Sequence, residues 1–280
     1  MSATAAANAI ATQPPAGLVV AITGAAQGIG LGLARHFAQA GARVLLSDVN
    51  AAACAAARDA LRAEGHEAEA AAADVTDAAA CERMVDAAVR AFGRLDVMVC
   101  NAGVAQVKPF MELQAADWDL HMAVNVKGTF LSLQAAARRM KAQEPLAPGR
   151  PRGKVITMAS IAARYGAGVM APYQGPYRAS KAAVVSLTQT AAYTLSPDIT
   201  VNALCPGIVA TDMWTRMDRD LAQLNHGREG DVFASRVANV PMGRAQTPQD
   251  VAGLALFLAS PASDYMTGQS INIDGGLVLS

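Results

Sequence analysis

The chain has no charge imbalance. Its 23 basic and 23 acidic side chains cancel to a formal net charge of zero over 280 residues. That balance argues against a nucleic-acid partner held through backbone phosphates and against an acidic tail protein. Cysteine is scarce: Cys54, Cys81, Cys100 and Cys205 stand far apart, with no C-x-x-C spacing. A disulfide scaffold is thereby excluded, and buried thiols in a reducing compartment are expected, hence a cytoplasmic protein. No apolar run approaches the ~20 residues that span a bilayer. The Ala-rich stretch 1–17 ends its run at Pro14-Pro15 and lacks the basic start of a secretory signal. No membrane partner is expected. The histidines His36, His66, His121 and His226 lack metal-like spacing, so no metal is expected, and His36 and His121 read as surface or packing residues. G-x-S-x-G, H-E-x-x-H and G-x-x-x-x-G-K-[ST] are all missing, and with them the chemistry each motif supports.

What the chain does have is apolar residues, 52% of the total. That argues against disorder, and an α/β chain of this length commonly remains one domain. We therefore expect a mobile leader over 1–17 and a single domain over 18–280. Short apolar runs at Leu18 to Ile22, Val44 to Ser47, Leu95 to Cys100, Val155 to Met158, Ile199 to Ala203 and Ser270 to Ile273 read as strands. Helical patterns lie between them: from Gly28 to Gly41, over 51–63, from a cap at Asp77 to Gly93, from Asp117 to Met140, from Tyr177 to Leu195 and from Pro248 to Leu258. The segment 211–242 carries many charges and weaker periodicity. Strands alternating with helices imply βαβ units, a doubly wound and mostly parallel sheet covered on both faces.

Residues 18–30, LVVAITGAAQGIG, join the first strand to the first helix. Glycines there allow a sharp turn and close backbone approach to a phosphate, towards which the helix turns its free N–H groups. A glycine-rich turn alone also suits a purely structural role. Asp48 ends the second strand 18 positions after Gly30, near the spacing of about 20 at which an acid meets an adenosine ribose. A carboxylate there accepts hydrogen bonds from ribose hydroxyls and repels a 2′-phosphate; the competing reading is a solvated turn aspartate. Gln27 stands where no Arg or Lys attracts that phosphate, and the two residues together favour NAD over NADP.

Tyr177-Arg-Ala-Ser-Lys181 supplies the second constellation, since a separation of four puts both side chains on one helix face. A phenol of reference pKa about 10 is a poor acid–base catalyst at neutral pH. A neighbouring ammonium and a positively charged nicotinamide would favour the phenolate.

These motifs together are similar to those of the short-chain dehydrogenase/reductase family. Thr23-Gly24-Ala-Ala-Gln27-Gly28-Ile29-Gly30, Asp74-Val75, Asn101-Ala102-Gly103, Asn125 in VNVKG, Ser160, Tyr177-x-x-x-Lys181, Pro206-Gly207 in CPGIVATDM and Asp274-Gly275-Gly276 occur in the family's order and at roughly its spacings. The resemblance runs from about Leu18 to the end of the chain. It implies a single Rossmann-type domain and NAD as cofactor, held by the glycine loop, Asp48 and Val49, Asp74 and Val75 at the adenine, Asn101 to Gly103, and Pro206, Gly207, Ile208 and Thr211 at the nicotinamide. Tyr177 would be the general base in alcohol oxidation and the general acid in ketone reduction. Lys181 would bind the nicotinamide ribose and depress the tyrosine pKa. Ser160 would orient the substrate oxygen, and Asn125 would hold a water linking Lys181 to solvent. Each also has a plainer reading: Ser160 as a turn residue, Asn125 as the partner of a helix kink, and Asn101 as a bridge between strands.

One departure stands out. Seventeen positions separate Ser160 from Tyr177, a few more than is usual in the family, and the surplus falls within Arg164 to Pro176. It enlarges one wall of the substrate site without moving the helix that bears Tyr177. Tyr173 and Trp214 are the candidate substrate contacts there, beside Ser160 and Tyr177, and Met213, Trp214 and Met217 read equally as lid packing. The stretch from CPGIVATDMW to the C-terminal DGG resembles polyol and vicinal-diol dehydrogenases of the sorbitol and acetoin/butanediol type. The leading expectation is thus an NAD-dependent enzyme interconverting a small secondary alcohol and its ketone. The rivals are a reductase of 3-oxoacyl thioesters or other bulky ketones, and a catalytically silent dinucleotide sensor. Family precedent also implies a dimer or tetramer built on the helices around 117–140 and 177–195.

Overall fold

The computed structural model describes residues 12–165 and 168–279. Its strands are β1 (Val19–Thr23), β2 (Arg43–Asp48), β3 (Ala68–Ala72), β4 (Val97–Cys100), β5 (Gly153–Met158), β6 (Ile199–Pro206) and β7 (Ser270–Ile273). All pair in parallel, in the order β3-β2-β1-β4-β5-β6-β7. The helices are α1 (Gly28–Gln39), α2 (Ala51–Ala63), α3 (Ala78–Phe92), α4 (Ala115–His121), α5 (Gly128–Lys141), α6 (Gly175–Leu195), α7 (Asp212–Leu224), α8 (Asp231–Ala238) and α9 (Pro248–Ala259).

Successive strand residues point to opposite faces of a sheet, and here both faces are dry. Val20 and Ile22 of β1 join Leu46, Val97 and Val99 against Leu33 and Phe37 of α1 and Val251 and Leu258 of α9. Val19 and Ala21 turn the other way, with Leu45 and Met98, onto Met84 and Val85 of α3 and Leu133, Ala136 and Met140 of α5. Two-sided burial explains why the strands read as unbroken apolar runs, and the doubly wound α/β expectation holds. Strand order reverses between β1 and β4, which opens a crevice at the carboxyl ends of the strands.

Local chemistry ends the helices where the sequence placed their stops. The Asp77 carboxylate accepts the Ala79 N–H at 2.9 Å to start α3, and Gly93, left-handed at φ +86°, closes it. Two elements differ from expectation. The single helix predicted over 117–140 is α4 and α5 joined by a π-turn, Met122–Lys127. The segment 211–242 contains α7 and α8, paired by Asp218, whose buried carboxylate accepts the N–H groups of Gly230 and, at 2.7 Å, Phe233. Within the expected leader, Gly17 donates its N–H to Gly41 O at 2.8 Å and receives Arg43 Nη2 at 2.9 Å on its own carbonyl. Residues 1–11 of that leader lie outside the described residues. Cys54, Cys81, Cys100 and Cys205 are free and buried. Among the described residues no helix is long and apolar enough to cross a membrane.

Candidate active site

The site begins where β1 runs into α1. The first intrahelical bond joins the Leu31 N–H to Gln27 O at 3.1 Å, and the Gln27 side chain caps nothing. The N–H groups of Gly28, Ile29 and Gly30 therefore face the crevice without helical partners. Gly28 adopts φ +55°, a left-handed backbone that a side chain would strain. Gly30 meets a different demand: a Cβ there would lie 2.1 Å from Gly24 O and 2.6 Å from Asn101 Nδ2. Asn101 Nδ2 donates to Thr23 O at 2.9 Å and Gly24 O at 3.1 Å, while Thr23 Oγ1 accepts the N–H groups of Asn101 and Ala102, each at 3.0 Å. Thr23 and Gly30 are buried and are not among the residues that line the cavity, so both pack the loop, while the Gly30 N–H stays among the unpartnered groups of the helix N-terminus.

A cavity of about 860 Å³ runs from this loop across the carboxyl ends of the strands. Gly24, Gln27, Gly28, Ile29, Asp48, Val49, Asp74, Val75, Asn101, Ala102 and Gly103 line one end. Asp48 Oδ2 accepts the Ala26 N–H at 3.2 Å and Oδ1 accepts the Asn50 N–H at 3.0 Å, so the carboxylate steadies the loop as well as facing the cavity. Asp74 accepts the N–H and hydroxyl of Thr76 in the same way, at 2.9 and 2.8 Å. Among the described lining residues of this end there is no cation. The cations that line the cavity, Arg178, Lys181, Arg216 and Arg236, come from α6, α7 and α8. Pro206, Gly207, Ile208 and Thr211 line the middle.

Ser160, Tyr177 and Lys181 converge in this cavity. Ser160 follows the end of β5, and its Oγ accepts the Ala162 N–H at 3.1 Å, which leaves its own proton free to donate. Tyr177 and Lys181 lie one turn apart on α6, with Nζ 5.9 Å from the phenol centroid. Burial pushes the Lys181 ammonium down to about 8, and Nζ donates to Met158 O at 2.8 Å. The phenol behaves differently from expectation. Burial raises it above the ordinary tyrosine value, partly offset by the Ser160 hydrogen bond and the Arg178 charge, and Lys181 is not among the groups that lower it. Lys181 Nζ stands 5.9 Å from the phenol centroid, and the influences that lower the phenol come from Ser160 and Arg178.

Asn125 sits in the π-turn with its amide fully engaged. Oδ1 accepts the Val104 N–H at 2.8 Å, and Nδ2 donates to Val104 O at 3.0 Å and Ser180 Oγ at 2.9 Å. It clamps the chain after Gly103 to the helix bearing Tyr177, so any water it holds must use a remaining lone pair. Beside it His121, read from sequence as a surface or packing residue, is buried with its ring edge-on to Tyr177 at 6.5 Å.

Of the surplus after Arg164, several described residues reach the far wall of the cavity. Tyr165, Met170 and Gln174 line it; Tyr173 does not. A short helical turn over Ala171–Tyr173 directs the Tyr173 hydroxyl to Asn225 Oδ1 at 3.0 Å instead, which corrects the expected substrate contact. Trp214 does line the cavity and also packs edge-on against Phe233, centroids 5.7 Å apart. Sequence reasoning missed Gln174, Arg178 and Arg236, all of which line the cavity. The adjacency of Arg178 to Tyr177 was the one available signal.

Residues 24–278 match the family model described as Enoyl-(Acyl carrier protein) reductase. A diacetyl reductase [(S)-acetoin forming] of Staphylococcus epidermidis is 42% identical over 259 residues, 92% of this chain and 97% of its own. An L-2,3-butanediol dehydrogenase of Corynebacterium glutamicum is 39% identical, over 93% of this chain and 98% of its own. A crystal structure of a gluconate 5-dehydrogenase from Burkholderia cenocepacia in complex with NADP and tartrate superposes with a TM-score of 0.82 at 33% identity, over 94% and 96% of the two chains. With the parallel sheet, the bare helix N-terminus and the motif residues gathered in one cavity, the chain belongs to the short-chain dehydrogenase/reductase family.

Proposed function

We propose that the protein interconverts a small secondary alcohol, a polyol or vicinal diol, and its ketone with NAD. The observation that carries this reading is the convergence of Ser160, Tyr177 and Lys181 on a cavity that begins at an uncapped helix N-terminus. The residues fit a dinucleotide: the N–H groups of Gly28 to Gly30 suit its phosphates, and Asp48 suits an unphosphorylated ribose. When bound, the nicotinamide accepts or returns the hydride and adds a positive charge near Tyr177.

The chain's own residues do the rest. Ser160 donates its hydroxyl proton to the substrate oxygen and orients it. Tyr177 removes the alcohol proton in oxidation and returns it in reduction. The Ser160 hydrogen bond and the Arg178 charge offset part of the burial that disfavours the phenolate. Lys181, held by Met158 O, would bind the nicotinamide ribose hydroxyls and place a cation beside the phenol, and Asn125 ties the chain at Val104 to Ser180 of α6. The relatives named for diacetyl reduction and for 2,3-butanediol support a vicinal-diol substrate. A cytoplasmic location and a dimeric or tetrameric assembly belong to the same proposal, and exposed Phe110, Met111, Trp118 and Phe130 around α4 and α5 support the second.

Tyr177→Phe tests the mechanism. Turnover of a diol, followed by the near-ultraviolet absorbance of reduced nicotinamide, should fall at least ~100-fold, the lower range of acid–base contributions. NAD binding, followed by titration, should persist. Full activity in this variant would remove Tyr177 from the mechanism.

A further inference from the structure

Gln174 stands immediately before α6, and its carbonyl accepts the Arg178 N–H at 3.0 Å, so it shares one turn of backbone with Tyr177. A polar side chain at this position could cap the helix, but that of Gln174 caps nothing. It lines instead the cavity that holds Ser160 and Tyr177, in a residue only 5% exposed. Its Nε2 donates to Met217 Sδ at 3.3 Å, and a thioether is a weak acceptor. The second N–H and Oε1 have no partner among the described residues. Met170, Met213, Trp214 and Met217 line the same cavity, and the charged residues that α7 adds to it, Asp212 and Arg216, are exposed. Gln174 is thus a buried amide with most of its hydrogen-bonding capacity unspent.

Such an amide loses the hydrogen bonds it made to water, and the loss stands until a ligand brings a polar atom to it. An amide donates and accepts side by side, so it serves a hydroxyl or a carbonyl oxygen equally. Ser160 and Tyr177 account for the reacting oxygen alone. We propose that Gln174 binds the second oxygen of the substrate, the one on the carbon next to the carbinol, and so selects vicinal diols and 2-hydroxyketones over alcohols and ketones with a single oxygen. This rests on the dehydrogenase reading above and names the residue responsible for its vicinal specificity. Oε1 accepts the proton of the neighbouring hydroxyl, and the free N–H donates to that oxygen or to a neighbouring carbonyl. Because Gln174 and Tyr177 share a turn, the backbone of α6 fixes the two groups relative to each other.

The test uses the full chain and two pairs of compounds that differ by one oxygen. 2,3-Butanediol is compared with the 2-butanol enantiomer of matching carbinol geometry in oxidation, and acetoin with 2-butanone in reduction. The wild type should favour the two-oxygen member of each pair in kcat/KM. Gln174→Met keeps the length of the side chain and removes the amide, and should lower that preference by about tenfold to a hundredfold, the range of one or two hydrogen bonds to a buried group. The loss should fall on 2,3-butanediol and acetoin and spare 2-butanol and 2-butanone, whereas a mere packing defect would slow both members of a pair together. Gln174→Asn withdraws the amide by one methylene and should lose part of the preference; it carries the test where Gln174→Met does not fold. A wild type that takes 2-butanol as readily as 2,3-butanediol, or a preference that neither variant lowers, overturns the inference while the dehydrogenase reading stands. Failure of all four compounds with either nicotinamide cofactor overturns that reading instead.

Discussion

Asp48 is the residue on which cofactor choice turns. The perturbation is Asp48→Asn, which removes the charge while keeping one oxygen to accept either the Ala26 or the Asn50 N–H. A 2′-phosphate carries a charge of about −1.5 to −2. Placed ~5 Å from a half-exposed carboxylate, it is repelled by ~2–3 kcal/mol at an effective dielectric between protein-surface and bulk-water values. That corresponds to a discrimination against NADP of about 30-fold to 150-fold. The wall nearby offers no relief, because its described lining residues include no cation. The carboxylate's hydrogen bonds to ribose hydroxyls add about 1.5 kcal/mol or more for NAD. Asp48→Asn should accordingly raise kcat/KM for NADP at least thirtyfold and lower that for NAD about tenfold. The lost acceptor costs about 1 kcal/mol of stability, a loss that denaturant titration separates from the cofactor effect. Steady-state kinetics with both cofactors decide it. A wild-type preference for NADP, or a ratio that Asp48→Asn leaves where it was, refutes the reasoning.

Two further predictions concern the loop and the proton. Gly30→Ala puts a methyl 2.1 Å from Gly24 O, so it should cost about 1–3 kcal/mol of stability and weaken NAD binding; thermal unfolding and cofactor titration report both, and unchanged values would deny the close packing. The pH profile of kcat/KM for oxidation reports the free enzyme. It should climb with alkalinity, because burial holds Tyr177 above its ordinary value, whereas the Lys181 cation is lost as pH rises through about 8. Ser160 stabilises the phenolate, so Ser160→Ala should move that limb to higher pH besides slowing turnover; a limb that stays put or moves down contradicts the assignment.

Most of the fold was legible because burial writes a plain pattern. Strands covered on both faces become runs such as VVAIT, and Asp77 and Gly93 mark the ends of α3 by capping chemistry alone. The gathering of Ser160, Tyr177 and Lys181 was legible through the spacing on α6 and the family resemblance. Three things were not. The turn at Met122–Lys127 widens a helix by hydrogen-bond register, and residue types do not encode that register. Tyr173 and Gln174 are neighbours whose opposite fates, one towards Asn225 and one into the cavity wall, depend on a single turn of backbone. Arg236 lies 59 positions beyond Tyr177 in a segment of weak periodicity, and only the pairing of α7 with α8 through Asp218 brings it to the site.

That wide turn has a consequence for how the chain can change. It holds an extra residue in what would otherwise be a continuous helical rod, and Asn125 owes its aim at Val104 and Ser180 to that extra residue. Loss of one codon there would straighten the rod into a more regular helix and rotate Asn125 by about a hundred degrees, one residue's turn of an α-helix. Selection for stability alone would accept that deletion. Selection for turnover has to reject it.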